Sequence, residues 1–412
     1  MPGSGGVAHR TPVDLPTGRD TTRPYGLATA VVLLAAWLLV APRTPDLAAA
    51  AYRVDLFGHV GLSVYDEHWY AGHDLPGYSV LFGPLAWLLG LRVVGALSVL
   101  ASVACFERLT SGGARAAGRW ASIAFAAAAV GDVWIGRLAF ALGVAFAMGA
   151  TLAFARRRSV AAIALATCAA ASSPVAGVLL ALAALTHALW RRSPRALLVL
   201  ALAAIVVVVA LAVLFAEGGW EPYPLVSFGA TVLVVGAVAW ALPRGAGELR
   251  LGAAVYALAC VVFVLVRTPM GSNVERYGVL LAGPLLLWSL GVARRAPGGG
   301  RAAPARAWGP GGRIAVLVAL GAWVAWAGWG PLRETLAVAG NGSTQSAYYA
   351  PVELFLDRAA HAPVRLEVPL TRTHWETAEL APRVSLARGW EKQLDTRFDA
   401  VLLSRRLTAA EY

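Results

Sequence analysis

The sequence predicts an all-α polytopic membrane protein with a small extracytoplasmic α+β domain at its C-terminus. Of its 412 residues, 58% are hydrophobic and only 14% are charged, whereas soluble domains carry about 25% charged residues. Apolar runs of roughly 17–25 residues recur along the chain, which is the length a helix needs to cross a hydrocarbon core of about 30 Å. We therefore expect a multi-pass protein of the plasma membrane, with the lipid bilayer as its first partner.

Three regions follow from the change of composition along the chain. Residues 1–24 are polar and predict a disordered cytoplasmic tail. Residues 25–330 predict a multi-span membrane domain with an external first loop over residues 42–78, and the first apolar run (residues 25–41) is interpreted as a retained signal anchor. Residues 331–412 have ordinary polarity and predict the extracytoplasmic domain.

The apolar runs predict about eleven transmembrane helices. The segment SVLFGPLAWLLG (residues 79–90) is too short to span and is interpreted as a half-helix or interfacial helix that leads into the second span. Counting this region differently gives ten or twelve spans. The other breaks are marked by short polar turns, including Ser172-Ser173-Pro174, where proline ends a helix. The spans after the first are assigned to residues 91–106, 120–135, 138–155, 160–172, 174–190, 196–216, 230–242, 251–266, 279–293 and 314–330.

The arginines predict the orientation. Most lie in alternate loops, as in the triplet Arg156–Arg158, and cytoplasmic loops are enriched in Lys and Arg. The N-terminus is then cytoplasmic and the C-terminus external. The loops assigned to the outside before residue 330 hold only five arginines. The acids assigned to the outside include Asp55, Asp66, Glu67, Asp74, Asp132, Glu217, Glu221 and Glu275.

Several classes of function are excluded by composition. The net charge of +12 does not indicate a nucleic-acid partner, because the arginines lie in short loops, where they set orientation. The three cysteines, Cys105, Cys168 and Cys260, lie within apolar runs and show no CxxC spacing, so neither a disulfide framework nor a zinc site is predicted. We expect no cofactor.

The first external loop carries the main catalytic candidates. Asp55 lies in an apolar segment close to the membrane surface, where desolvation makes a carboxylate a better proton acceptor. His59 follows one helical turn later on the same face. The alternative is that Asp55 caps a helix or pairs with Arg53.

A second polar group lies later in that loop. It consists of Asp66, Glu67, His68, His73 and Asp74. Such side chains could bind a divalent metal, but the spacing matches no tight motif, and a solvated loop is the other interpretation. We assign no metal ligand here, and place Glu67 and His73 among the candidate substrate contacts.

Two arginines lie at the ends of spans on the predicted external face, Arg137 in GDVWIGR and Arg276 in GSNVERYG. A guanidinium binds phosphate through parallel charge-assisted hydrogen bonds, so both are candidates for a donor phosphate. The alternative is that they pair with Asp132 and Glu275, or extend to the interface.

Four further residues are candidate substrate contacts. Glu221 and Tyr223 occur in the external segment WEPYP, and Trp375 and Trp390 occur in the polar-aromatic blocks of the tail. Sugars stack on aromatic rings, but ordinary domain interfaces have the same composition.

The order of these features resembles a known superfamily. A cytoplasmic N-terminus, one span, an external loop with an acid, and the aromatic, proline-rich lead WYAGHDLPGYSVLFGPLAWLLG are similar to the polytopic glycosyltransferases of the GT-C superfamily. The chain also resembles an uncharacterised actinobacterial subgroup of integral membrane proteins, through runs similar to GRLAFALGVAFAMG, SSPVAGVLLAL, NVERYGVLLAGPLL, HWETAEL and ARGWEKQLD.

The resemblance implies an inverting transfer of a sugar from a polyprenyl-phosphate donor to an envelope glycan or glycolipid hydroxyl on the external face. It implies Asp55 as general base, with Asp66 as the alternative because Asp55 is followed by leucine where several branches have a second acid. A transporter or flippase of lipid-linked envelope precursors, or a non-catalytic envelope scaffold, are the alternative functions.

Overall fold

The computed structural model describes residues 24–403 apart from residues 71, 112–114, 217–218, 294–309 and 360–363, together with residue 408. The predicted N-terminal tail, except for its last residue, and Glu217 lie outside the described residues, as does most of the linker before the last apolar helix. The described chain is dominated by helices, with two pairs of very short strands.

Thirteen helices make up the apolar region as far as residue 338 in the described part of the chain. They are α1 (Tyr25–Val40), α2 (Pro45–Val60), α3 (Phe82–Leu89), α4 (Leu91–Thr110), α5 (Arg115–Ile135), α6 (Leu138–Ala155), α7 (Ser159–Ser172), α8 (Pro174–Arg191), α9 (Leu202–Leu214, after a π-helical turn over Leu197–Ala201), α10 (Leu225–Ala241), α11 (Gly247–Leu265), α12 (Glu275–Ala293, after a 3-10 turn over Gly271–Val274) and α13 (Pro310–Val338).

Seven of the described helices are long and apolar enough to cross a membrane, or eight if the bent pair α1 and α2 counts as one broken span. Two of them show why a bilayer is required. The helix over Leu197–Leu214 has a mean hydropathy of 3.4 with only 22% of its window buried, and α11 has 1.9 with 11% buried. Apolar surface exposed on this scale is stable only against hydrocarbon. The chain is a multi-pass membrane protein.

Small residues let the helices of the bundle approach closely. A Cβ added at Gly143 of α6 would meet the side chains of Ala176 and Ser173, and one added at Gly95 of α4 would meet Leu138 and Trp37. Close approach of this kind favours helix packing where no hydrophobic force acts between helices. It brings α6 against α4, α7 and α8, while α5 packs against α1 and α12.

The predicted first loop is half helical. After α1 the chain bends by 79° into α2, whose start has extended backbone at Thr44, Pro45 in the first turn and Asp46 beside it. These are helix-start residues, because proline lacks only an N–H that would be unpaired there and an acid favours the positive end of the helix dipole. A hairpin of β1 (Tyr65–Asp66) and β2 (His73–Asp74) then leads towards α3.

The C-terminal segment, residues 339–403, packs onto this first loop. Its described part contains α14 (Ser346–Ala359), α15 (Glu376–Leu380), α16 (Lys392–Phe398), 3-10 turns over Gly342–Thr344 and Ala400–Leu403, and a parallel pair of β3 (Arg365–Leu366) with β4 (Ser385–Leu386). The Leu386 N–H donates to the His68 carbonyl at 2.6 Å, and the Trp375 indole N–H donates to the Arg43 carbonyl at 2.8 Å.

The bundle therefore has two chemically different ends. We call the end that carries the first loop and the C-terminal segment the tail-bearing end. The opposite end, where Arg157, Arg191, Arg244 and Arg313 lie around one opening, is the Arg-rich end.

Candidate functional site

Asp55, the first catalytic candidate, lies on the solvent side of α2. Its side chain is 48% exposed and that of His59 is 74% exposed. The His59 ring nitrogen lies 3.5 Å from the Asp55 carboxylate and 2.9 Å from its carbonyl. The expected pairing of these two residues on one face occurs, but it forms on the face turned away from the bundle.

The carboxylate of α2 that faces the bundle is Asp46. Asp46 and Asp55 are nine residues apart, which is two and a half helical turns, so their side chains leave α2 on opposite sides. Asp46 accepts a hydrogen bond of 3.1 Å from the Arg137 Nε. The contact depends on Gly136, which has a φ of +103° and packs directly against the backbone of Asp46 and Leu47, where a side chain would not fit.

Arg137 lies between two carboxylates. Besides Asp46, it contacts Asp132, whose Oδ1 is 3.4 Å from the Arg137 Nη1. Asp132 is buried near the end of α5. The alternative pairing of Arg137 with Asp132 therefore occurs, and Arg137 also orients Asp46.

Arg276, the second phosphate candidate, lies in the first turn of α12 at the same end of the bundle. Its guanidinium lies over the Phe140 ring, 5.0 Å from the centroid, and interacts electrostatically with Arg137, Asp132 and Asp46. It donates one hydrogen bond to the neutral side chain of Asn273. Its Nε is buried and has no hydrogen-bond partner among the described residues. Arg276 thus has donor capacity left for an anion.

Arg53 adds a third guanidinium. It is buried in an ion pair with Glu391 of the C-terminal segment, and it stacks over Tyr78 at 3.8 Å and over Trp69 at 5.0 Å. Within the described chain its Nε and Nη1 have no hydrogen-bond partner.

Tyr78 joins the two groups of charges. It interacts electrostatically with Arg53 and Glu391 on one side and with Asp46 and Arg276 on the other, and burial raises its pKa to about 12. Its phenol is therefore a neutral hydrogen-bonding group at neutral pH.

Asp66 and His73 belong to a buried aromatic cluster beside Arg53. Asp66 accepts hydrogen bonds from the Tyr52 hydroxyl at 2.8 Å and from the His68 N–H at 3.2 Å. His73 stacks on Trp69 with centroids 5.5 Å apart, and neither ring nitrogen has a hydrogen-bond partner in the described part of the chain. Burial and the nearby Arg53 charge lower the pKa of His73 to about 4.

The remaining sequence candidates are dispersed around this end. Glu67 is exposed. Glu221 accepts a hydrogen bond of 2.9 Å from Ser272, and Tyr223 is buried edge-on against Phe228. The Trp375 ring is covered by the Arg43 guanidinium at 3.6 Å, and Trp390 packs on His374 at 4.7 Å. The two tryptophans therefore pack within the protein as in an ordinary domain interface, which is the alternative that their sequence context offered.

No protein-family model, curated protein or solved structure matches this chain. In the described ranges, no group of three or more His, Cys, Asp or Glu side chains is arranged to hold a metal ion. Asp66 accepts hydrogen bonds from Tyr52 and His68 within the protein.

We name the convergent set at this end the outer cluster; it consists of Asp46, Arg53, Tyr78, Asp132, Arg137 and Arg276. Sequence reasoning found the two span-end arginines but assigned no catalytic role to Asp46, Arg53 or Tyr78. One local signal was available for Asp46. Thr-Pro-Asp directly after an apolar run is typical of a helix start, and an acid in that first turn lies next to the end of the preceding span.

The docking of the C-terminal segment should depend on pH through Asp395. Burial, with the neighbouring Asp399 charge, raises the pKa of Asp395 from 3.8 to about 7. A raised carboxyl pKa means that the folded state holds the proton more tightly, so stability is lost as pH rises from about 4 to about 7. This change in the pKa of Asp395 corresponds to a loss of roughly 4 kcal/mol in the free energy of unfolding.

We expect Asp395→Asn to remove this loss. The difference in thermal stability between variant and wild type should grow over that pH range and be constant above pH 7, as measured by unfolding in detergent. The lowered pKa of His73 makes the folded state more stable as pH rises from about 4 to 6.5, which is the opposite trend. Because both proteins contain His73, its contribution cancels in the difference between variant and wild type. A difference independent of pH would contradict the assignment.

Proposed function

We propose that this chain is a membrane glycosyltransferase of the GT-C type, with eleven spans, a cytoplasmic N-terminus and the outer cluster on the external face. It transfers a sugar from a polyprenyl-phosphate donor to a hydroxyl of an envelope glycan or glycolipid. The observation that carries the proposal is the meeting of Asp46 with Arg137 and Arg276, of which Arg276 has a buried guanidinium nitrogen without a partner in the described chain.

The donor phosphate is proposed to bind Arg276. Of the two arginines predicted for this role, Arg137 pairs with two carboxylates, whereas the hydrogen bond that Arg276 donates among the described residues goes to the neutral side chain of Asn273. Buried donors of this kind require an acceptor, and a phosphodiester supplies one together with a negative charge. The polyprenyl chain would remain in the bilayer beside the ends of α6 and α12.

Asp46 is proposed as the general base in place of Asp55, because Asp46 lies beside the arginines and Asp55 does not share their face of α2. The acceptor oxygen forms a bond to the anomeric carbon as the bond from that carbon to the phosphate oxygen breaks. Asp46 takes the hydroxyl proton, and the polyprenyl phosphate leaves with an additional negative charge. Arg276 stabilises that charge, since preorganised donors act most strongly where charge develops.

The test uses membranes that contain the full chain and a panel of radiolabelled polyprenyl-phosphate sugars, with labelled product as the readout. Wild type should form product with at least one donor, and Arg276→Gln should reduce kcat/KM by about 100-fold, as for removal of one charge-stabilising donor. Arg267→Gln is the control, because that arginine lies at the same end and stacks on Trp220 outside the cluster. Equal activity of Arg276→Gln and wild type would exclude the proposed role of Arg276.

A transporter of lipid-linked precursors is the second candidate. The observation that favours it is a cavity of 2060 Å³ that lies between the helices and opens at the Arg-rich end. In vesicles, a transporter would move a labelled lipid-linked sugar across the bilayer without forming product. The glycosyltransferase would instead form product when the donor is supplied only in the leaflet at the tail-bearing end.

A further inference from the structure

A large cavity lies at the end opposite to the outer cluster. Its volume is 2060 Å³, and its walls come from α4, α6, α8, α10, α11, α12 and α13. Pockets for small ligands have volumes of about 300–1,000 Å³. The cavity is therefore large enough for a ligand with more than one hydrocarbon chain.

The walls become apolar with depth. The cavity extends along α12 from Ala293 at the rim to Gly278, which is about 22 Å at 1.5 Å per residue. Its deeper walls are formed by residues such as Met148, Leu180 and Leu281. A wholly polar ligand such as free phosphate or a nucleotide would leave this surface without a partner, whereas acyl chains would cover it.

The rim carries an excess of positive charge. Six arginines contribute to the lining: Arg157, Arg191, Arg195, Arg244, Arg250 and Arg313. Across the described residues, none of the six forms an ion pair with a carboxylate, and the acid of the lining, Glu248, is 2.7 Å from the His187 ring. An anionic group at the rim would therefore meet guanidinium groups that no acid neutralises.

Two of these arginines make hydrogen bonds within the protein. Arg250 donates to the carbonyls of Leu242 and Arg244, and Arg195 packs over Phe154 and donates to Ser159. The other four are exposed around the opening. These four are suited to bind a headgroup, because their side chains can turn towards it without breaking an ion pair.

We propose that this cavity binds an anionic phospholipid of the leaflet at the Arg-rich end. The phosphate lies among the rim arginines, where it accepts charge-assisted hydrogen bonds, and the two acyl chains extend between the helices. This inference does not rest on the proposed glycosyltransferase activity, because the two sites lie at opposite ends of the bundle.

The chain offers closely matched variants for a test. Arg157 and Arg191 line the cavity, while their sequence neighbours Arg158 and Arg192 do not. All four are exposed, and each pair contains one residue with positive φ, Arg157 or Arg192. Arg157→Gln/Arg191→Gln and Arg158→Gln/Arg192→Gln therefore remove the same charge from the same end of the protein.

The full-length protein in detergent is titrated separately with dioleoyl-phosphatidylglycerol, dioleoyl-phosphatidylcholine and undecaprenyl phosphate, and bound lipid is counted by native mass spectrometry. We expect wild type to bind phosphatidylglycerol most tightly. The Arg157/Arg191 variant should lose about tenfold in affinity for it, and the Arg158/Arg192 variant should lose none. Ala253→Trp, which fills the cavity without changing charge, should also weaken binding.

Three outcomes would overturn the assignment. Equal losses in the two double variants would mean that only general surface charge attracts the lipid. Phosphatidylcholine bound as tightly as phosphatidylglycerol would remove the role of the arginines. Preferential binding of undecaprenyl phosphate would assign the cavity to the carrier lipid and favour the transporter.

Discussion

Asp46→Asn is expected to lower the kcat of glycosyl transfer by about 10²–10⁴-fold, the usual contribution of a general base, while Asp55→Asn leaves it unchanged. The physical reason is the geometry of α2, in which Asp46 contacts Arg137 and Asp55 is exposed with His59 on the other side. The measurement is initial rate against donor concentration in membranes containing each variant. The pair is matched, because both changes replace Asp by Asn within one helix.

A structural role for Asp46 would give a different pattern. Asp46→Asn removes an ion pair with Arg137, so folding must be followed in parallel by thermal unfolding. A base changes kcat and leaves donor binding intact, whereas a residue that only holds Arg137 in place changes KM or stability. Loss of transfer in Asp55→Asn with full activity in Asp46→Asn would show that the base lies on the exposed face after all.

The fold class could be predicted because hydropathy is a local property. Helices occur at each run assigned to a span, and their ends fall at residues such as Gly90 and Pro174 that break helices by their own chemistry. Helix α2 was predicted only locally, through the one-turn spacing of Asp55 and His59. The sequence PDLAAAAYRVDLFGHV mixes apolar and charged residues and was interpreted as part of the first loop. Its start signal, Thr-Pro-Asp, was present, but the helix after this first turn is stabilised by packing beneath the C-terminal segment.

The site could be predicted only in part, because its contacts are distant in sequence. Asp46 and Arg137 are 91 positions apart, and Arg53 and Glu391 are 338 apart. Helical periodicity implies that Asp46 and Asp55 face opposite ways, yet it does not say which face meets the bundle. That choice is made by Gly136, whose backbone conformation lets α2 approach the turn between α5 and α6.

Glu391→Gln is expected to release the C-terminal segment from the first loop. The Arg53 and Glu391 side chains are only 7% and 8% exposed, and removing one partner of a buried pair leaves an uncompensated charge that costs about 3–5 kcal/mol. Trypsin should then cut the segment at arginines such as Arg388, which is buried in the intact protein. The readouts are the rate of cleavage and the temperature of unfolding.

Glu353→Gln is the control within the same segment. It removes a looser pair, 3.9 Å from an Arg383 side chain that is 54% exposed, and surface pairs of this kind contribute at most about 1 kcal/mol. The double change Arg53→Met/Glu391→Met removes both charges but keeps long side chains at the two positions. Because buried ion pairs can often be replaced by apolar groups without loss, the double variant should cleave more slowly than Glu391→Gln. If neither variant is cleaved faster than wild type, the segment is held by the hydrogen bonds of Tyr70 and Trp375, and the ion pair only orients Arg53 towards Tyr78.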